Sequence, residues 1–142
     1  MTIRARVNVS LQIDNNVSDQ HYGSRPTSFV PDVEDGTGPT PGLIIVPVSG
    51  IDINLTAITN PGGLIRIQNL STTNYIELGS WDGAIFRPLF ELLPGEFYVH
   101  RLARNLGNIY ATGTGTSGTD TTTIRLNADT SAVTCLVEAF NK

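Results

Sequence analysis

Gly113, Gly115 and Gly118 stand at the spacing G-x-G-x-x-G, and Glu138 follows where an acid would hold a ribose in a dinucleotide site. That chemistry needs a helix opening at the last glycine, because the helix N-terminus holds the pyrophosphate. Thr119–Thr123 is instead rich in β-branched threonine and runs into Ile124 and Leu126, a strand pattern, so the motif is read as a loop. Asp32, Glu34 and Asp35 in Pro31–Gly36 offer oxygen ligands, but Gly36 falls one position short of the calcium-loop register, and a solvated acidic turn is the better reading. His21 and His100 have no Cys, Asp or Glu at ligand spacing. Cys135 lies between Val133 and Val137 on one strand face, the setting of a buried apolar side chain and not of a nucleophile. Glu77, Glu91 and Glu96 could in principle pair as a general acid and base, but sequence spacing alone cannot bring two of them together, and Glu96 after Pro94-Gly95 is more simply a turn residue. No catalytic set assembles, and neither an enzyme, a cofactor nor a metal is expected.

Trp81, in Gly79–Gly83, is the best single surface candidate. On a hairpin tip it could anchor a partner, fold back over the core, or stack on a sugar. Asn8-Val9-Ser10, Asn16-Val17-Ser18, Asn54-Leu55-Thr56 and Asn69-Leu70-Ser71 fit the glycosylation acceptor pattern, which carries no weight without a secretion signal.

The elements that must position these residues are strands. Ile3 to Ile13 alternates throughout, with Ile3, Ala5, Val7, Val9, Leu11 and Ile13 on one face and Arg4, Arg6, Asn8, Ser10 and Gln12 on the other. Residues 14–42 are rich in Asp, Asn, Ser, Pro and Gly, and their apolar members follow no period. They are read as an extended loop or arm ordered against another subunit, or else as a mobile surface loop. Strands are expected at Leu43–Val48 (an edge or bulge, because of Pro47), Ile51–Ile58, Leu64–Leu70, Tyr75–Leu78, Ile85–Leu92, Phe97–Leu102, Ile109–Thr112, Thr122–Leu126 and Ala132–Phe140. Turn signals separate them: Ser71–Asn74, Asp82-Gly83 and Pro94-Gly95. At most a short helical turn fits Asn127–Ser131. This pattern predicts one all-β domain over 1–142, an antiparallel β-sandwich with a jelly roll as the leading topology and 14–42 as the arm.

Composition narrows the class. The 142 residues suffice for one real core, and 39% hydrophobic content is that of a globular chain. No apolar run approaches the ~20 residues of a membrane span, and MTIRARVNVS lacks the apolar centre of a secretory signal. A single cysteine excludes an intramolecular disulfide. A net charge of −4 argues against nucleic-acid coating by phosphate neutralisation. Only 15% of residues are charged, and the cations are eight Arg and one Lys. Arg suits protein interfaces where Lys does not, so this balance fits a subunit in constant contact with others, or else a compositional habit of the source.

Between Thr73 and Leu102 the sequence contains Asn74-Tyr75-Ile76-Glu77-Leu78-Gly79, Phe86-Arg87-Pro88-Leu89, Leu93-Pro94-Gly95-Glu96-Phe97 and Arg101-Leu102. In that order these segments resemble small structural proteins of tailed-phage virions, and the apolar alternation of Asp129–Phe140 is in keeping with their final strand. The resemblance covers about a quarter of the chain, and 14–42 has no counterpart in it. It implies a capsid cement or decoration protein: a β-sandwich or jelly-roll subunit, made in the host cytoplasm and bound to the capsid exterior. Its partners would be the major capsid protein and itself, as a homodimer or homotrimer, with no nucleic acid and no membrane. A tail or head–tail accessory role shares the same strand and turn vocabulary. The expected partner-binding residues are Arg4 and Arg6 on the first strand, Arg25, Phe29 and Val30 on the arm, and Trp81. The rival from another class is a carbohydrate- or receptor-binding module that stacks sugars on Trp81 and Tyr98.

Overall fold

The computed structural model describes residues 3–4, 7–9, 12–13, 22–23, 27–29, 32–33, 40–55, 57–58, 62–102 and 123–141, the first six of these stretches as backbone pairing only. Every regular element among them is a strand: β1 (Ile3–Arg4), β2 (Val7–Val9), β3 (Gln12–Ile13), β4 (Tyr22–Gly23), β5 (Thr27–Phe29), β6 (Asp32–Val33), β7 (Thr40–Val46), β8 (Ile51–Asp52), β9 (Leu64–Asn69), β10 (Ile76–Trp81), β11 (Phe86–Leu92), β12 (Phe97–Arg101), β13 (Thr123–Ala128) and β14 (Val133–Ala139). The all-β antiparallel sandwich expected from the alternation is present.

Strands β7 to β14 form two four-stranded sheets, ordered β11-β10-β13-β8 and β12-β9-β14-β7. The pairing nests: β7 lies beside β14, β8 beside β13, β9 beside β12 and β10 beside β11, all antiparallel. It is one long hairpin folded over on itself, closed by β9–β14 and β10–β13. The inner faces supply the core, with Val46, Ile65, Ile67, Val133, Cys135 and Val137 from one sheet meeting Ile76, Leu78, Leu92, Leu126 and Ala128 from the other. Leu55, Ile67, Ile76 and Leu126 are fully buried, each worth roughly 1.5–3 kcal/mol of apolar transfer.

Turn chemistry fixes the register. At the β10–β11 hairpin, Asp82 Oδ1 accepts from the backbone N–H of Ala84 (3.0 Å) and Ile85 (2.8 Å), and Gly83 takes φ 93°. Between β11 and β12, Gly95 takes φ 81° and Glu96 N–H donates to Leu93 O at 3.0 Å. One side chain that the sequence reading passed over ties three segments together. Asn69 is fully buried, donates from Nδ2 to Asn74 O (2.9 Å) and Leu92 O (3.0 Å), and accepts from Ser71 N–H (2.8 Å). Burial of this amide also removes Asn69-Leu70-Ser71 as an acceptor site in the folded protein.

Several boundaries differ from expectation. The segment 14–42 is not wholly an unpaired arm: β4, β5 and β6 return along the first strand, and its last residues open β7. Arg4 is paired with Asp32, Val7 with Phe29, and Ile13 with Tyr22. Two residues separate Val9 from Gln12 and three separate Gly23 from Thr27, a one-residue register step that breaks the alternation on the return leg. The β8 strand is only Ile51–Asp52; Ile53, Leu55 and Ile58 stay buried without it, and Ile58 N–H closes a turn on Leu55 O. Residues 129–131 are a bend joining β13 to β14, with no helical turn. The strand expected at 109–112 lies outside the described residues.

Candidate interaction surfaces

Trp81 is the last residue of β10, opposite Phe86 on β11 and Thr123 on β13. Alternation from the buried Ile76 and Leu78 puts it on the outer face of its sheet. It is not a free tip. The Arg125 guanidinium lies over its ring, 4.2 Å from the centroid. Arg125 in turn donates to Asp52 Oδ1 (3.1 Å) and Ser49 O (3.2 Å), so the Trp is held by a side chain that also clamps the β7–β8 turn. Gly50 (φ 81°) is needed in that turn, since a Cβ there would collide with Asn127 Oδ1 and Arg125 Nε.

The same outer face carries an acidic end. The fold does what sequence spacing could not and sets Glu77 directly across from Glu91, and the Asp129 carboxylate, then burial, then Glu77 push the Tyr75 phenol above its usual pKa. Toward the hairpin tip, Arg87 pairs with Asp82. Hydrogen bonds from Ile85 N–H, the Arg87 side chain and Ala84 N–H lower Asp82 from 3.8 to about 2.

Where the edge strands β11 and β12 face each other the sandwich is open. A cleft of about 250 Å³ lies there, floored by Ile65, Ile67 and Leu78 and flanked by Phe90, Tyr98 and His100. Phe90 bridges from the other sheet to Tyr98 with ring centroids 5.0 Å apart, and Tyr98 stacks on His100 at 5.7 Å. Burial raises the Tyr98 pKa. Tyr98 and His100 share a face, as the alternation implied, but it is the inner one. Trp81 and Tyr98 therefore lie on opposite sides of the sandwich wall and do not form one stacking platform.

The outer face of the second sheet is different again. One row across its four strands reads Leu43, Leu136, Gln68 and Phe97 in register, and the next reads Pro41, Glu138, Arg66 and Val99. Leu43 (68%), Ile45 (66%) and Phe97 (61%) are among the most exposed large apolar side chains described. Arg66 neutralises the polar part of this face by donating to Glu138 Oε2 and Gln68 Oε1, both at 2.6 Å, beneath the Phe97 ring. Leu43 and Ile45 on β7 and Phe97 on β12 therefore expose apolar surface at the two edges of this sheet face, with Leu136 and Gln68 between them.

Of the expected partner-binding residues, Trp81 is placed as above. Arg4 and Phe29 are placed only as rungs of the β1–β6 and β2–β5 ladders, and Arg6, Arg25 and Val30 lie outside the described residues. The exposed band on β7 and β12 was missed because Leu43–Val46 reads as uniformly apolar, which hides the half of its side chains that face outward.

The described residues hold no group of three or more His, Cys, Asp or Glu placed to bind a metal ion. Cys135 is buried, and desolvation pushes its thiol up to about 11, far from a nucleophilic thiolate. Among the described residues no helix is long and apolar enough to cross a membrane. No protein-family model, curated protein or solved structure matches the chain.

Proposed function

We propose that this chain is a non-enzymatic structural subunit of a phage virion, a capsid cement or decoration protein that bridges major capsid proteins on the shell exterior. The observation that carries the reading is the exposure of Leu43, Ile45 and Phe97 on the outer face of one sheet, around an Arg66–Glu138 ion pair. Such a face gains free energy by losing water to a partner, and it offers no chemistry beyond that. The nested ladder order supports reading the sandwich as a jelly roll, an architecture used by capsid and lectin domains alike. The virion-like segments at Asn74–Gly79, Phe86–Leu89 and Leu93–Phe97 tip the choice toward the capsid.

The mechanism is interface burial. A standard contact buries ~1,600 Å², and repetition over a lattice resists pressure even when each contact is weak. Self-association as a dimer or trimer would multiply the bridging. The test is thermal: capsids carrying the protein should release their DNA at a higher temperature than capsids stripped of it. An unchanged release temperature with the protein bound would leave attachment without cementing.

A further inference from the structure

We propose that two copies of this chain pair edge to edge through β7. Leu43–Ile45 of one copy would run antiparallel beside the same residues of the other and join the two β12-β9-β14-β7 sheets into one. The inference rests on the self-association in the proposed function and names its surface.

Among the described residues the sandwich has four edge strands: β7 and β12 on one sheet, β8 and β11 on the other. An open edge is a template for strand addition unless charge, brevity, proline or a bulge blunts it. β8 is two residues long and ends in the exposed Asp52. β11 carries Arg87 and Pro88, and its ladder slips at Leu89, the extra residue opposite Leu78 and Gly79. β12 ends in His100 and the exposed Arg101. Among the described edges β7 presents the longest run with no charge, no proline and no bulge, Leu43-Ile44-Ile45-Val46, against Phe97-Tyr98-Val99 on β12, and Leu43 and Ile45 stand on it more than half exposed.

The run is also self-complementary. A twofold axis perpendicular to the sheet and beside Ile44 keeps both cores on one side of the joined sheet, as pleat parity requires. In that register Leu43 faces Ile45 of the second copy, apolar to apolar. Pro41 falls opposite Pro47, so the residues that cannot donate a ladder hydrogen bond lie outside the paired run. The two prolines bound the paired run and Leu43–Ile45 is its apolar centre, three residues per copy; Gly42, at φ 84°, stays within the β7–β14 ladder. Charge permits the approach despite the net −4 of each chain, because the nearest ions on this face, Arg66 and Glu138, already pair with each other. Three residues fall well short of the about 20–30 a side in a standard interface, so the pair is weak and concentration dependent.

Sedimentation and light scattering from about 1 μM to about 1 mM test this, spanning the range of a weak interface. The wild-type mass should climb toward that of a dimer. Leu43→Lys with Ile45→Lys sets ammonium groups against each other and should weaken pairing by roughly tenfold or more. Leu43→Lys with Ile45→Glu sets each ammonium opposite a carboxylate of the other copy and should restore it. A wild type that stays monomeric throughout overturns self-association and this surface together. A dimer indifferent to the paired Lys substitutions overturns β7 alone, and failure of the Lys/Glu chain to recover overturns the antiparallel register. Should the variants unfold, amide exchange on the wild type decides: protection at residues 43–45 must rise with concentration, and unchanged protection overturns the proposal.

Discussion

Arg125 is stacked on Trp81 at 4.2 Å and bonded to Asp52 at 3.1 Å, which joins β10, β13 and β8 through one guanidinium on the outer face of their sheet. Its side chain is only 16% exposed, so the contact is desolvated enough to count. Arg125→Ala should lower stability by about 1–2 kcal/mol in denaturant unfolding, as a cation–π contact and its hydrogen bonds are lost together. Trp81 is the chain's single Trp, so the same variant should also shift its fluorescence. Arg125→Lys should recover little, because an ammonium cannot stack and fork at once.

Asn69 gives a larger effect from a smaller side chain. Asn69→Ala removes the partner of three backbone groups, the buried Leu92 carbonyl and the half-buried Asn74 carbonyl and Ser71 N–H, and should cost about 2–3 kcal/mol, read as a fall in the unfolding midpoint at unchanged slope. Asn69→Asp keeps the acceptor for Ser71 but loses both donations, and should be no milder.

Asp82 makes the β10–β11 hairpin sensitive to acid. Its folded pKa lies near 2 against 3.8 unfolded, so its contribution is present above pH 4 and is lost as pH falls toward 2. Melting temperature should drop more steeply over that window in the wild type than in Asp82→Asn, whose side chain does not titrate. Parallel curves for the two proteins would remove Asp82 from the acid response.

Cys135 should be inert in the folded chain. A thiol pushed to about 11 and shut in the core reacts with an aromatic disulfide reagent at pH 8 only on the unfolding timescale. Adding denaturant should release the full single thiol at once. Rapid labelling of the native protein would mean that β14 opens locally.

These sites show how far the sequence could be read. Alternation located β9 and β14 to within a residue or two, because each buries one face and leaves the other more exposed, while the flanking turns at Asp82-Gly83 and Pro94-Gly95 bounded β11 and β12. Asp82-Gly83 and Pro94-Gly95 marked their turns because positive φ leaves few residue choices. The return strands β4–β6 escaped notice since their pairing partners Tyr22, Thr27, Phe29 and Val33 are split by Ser, Pro and a register step. Trp81 was recognisable as a surface residue, but its stacking on Arg125 was not, because that contact joins strands more than forty residues apart. The cleft beside Phe90 and Tyr98 likewise exists only once the two sheets meet.

Attachment to a capsid is the most direct test of the proposed role. Purified protein mixed with stripped capsids and imaged should appear at regular symmetry-related positions on the outer shell, with the sheet bearing Leu43 and Phe97 buried in contacts. Capsids left bare at saturating protein, under conditions where the chain is folded, would contradict it.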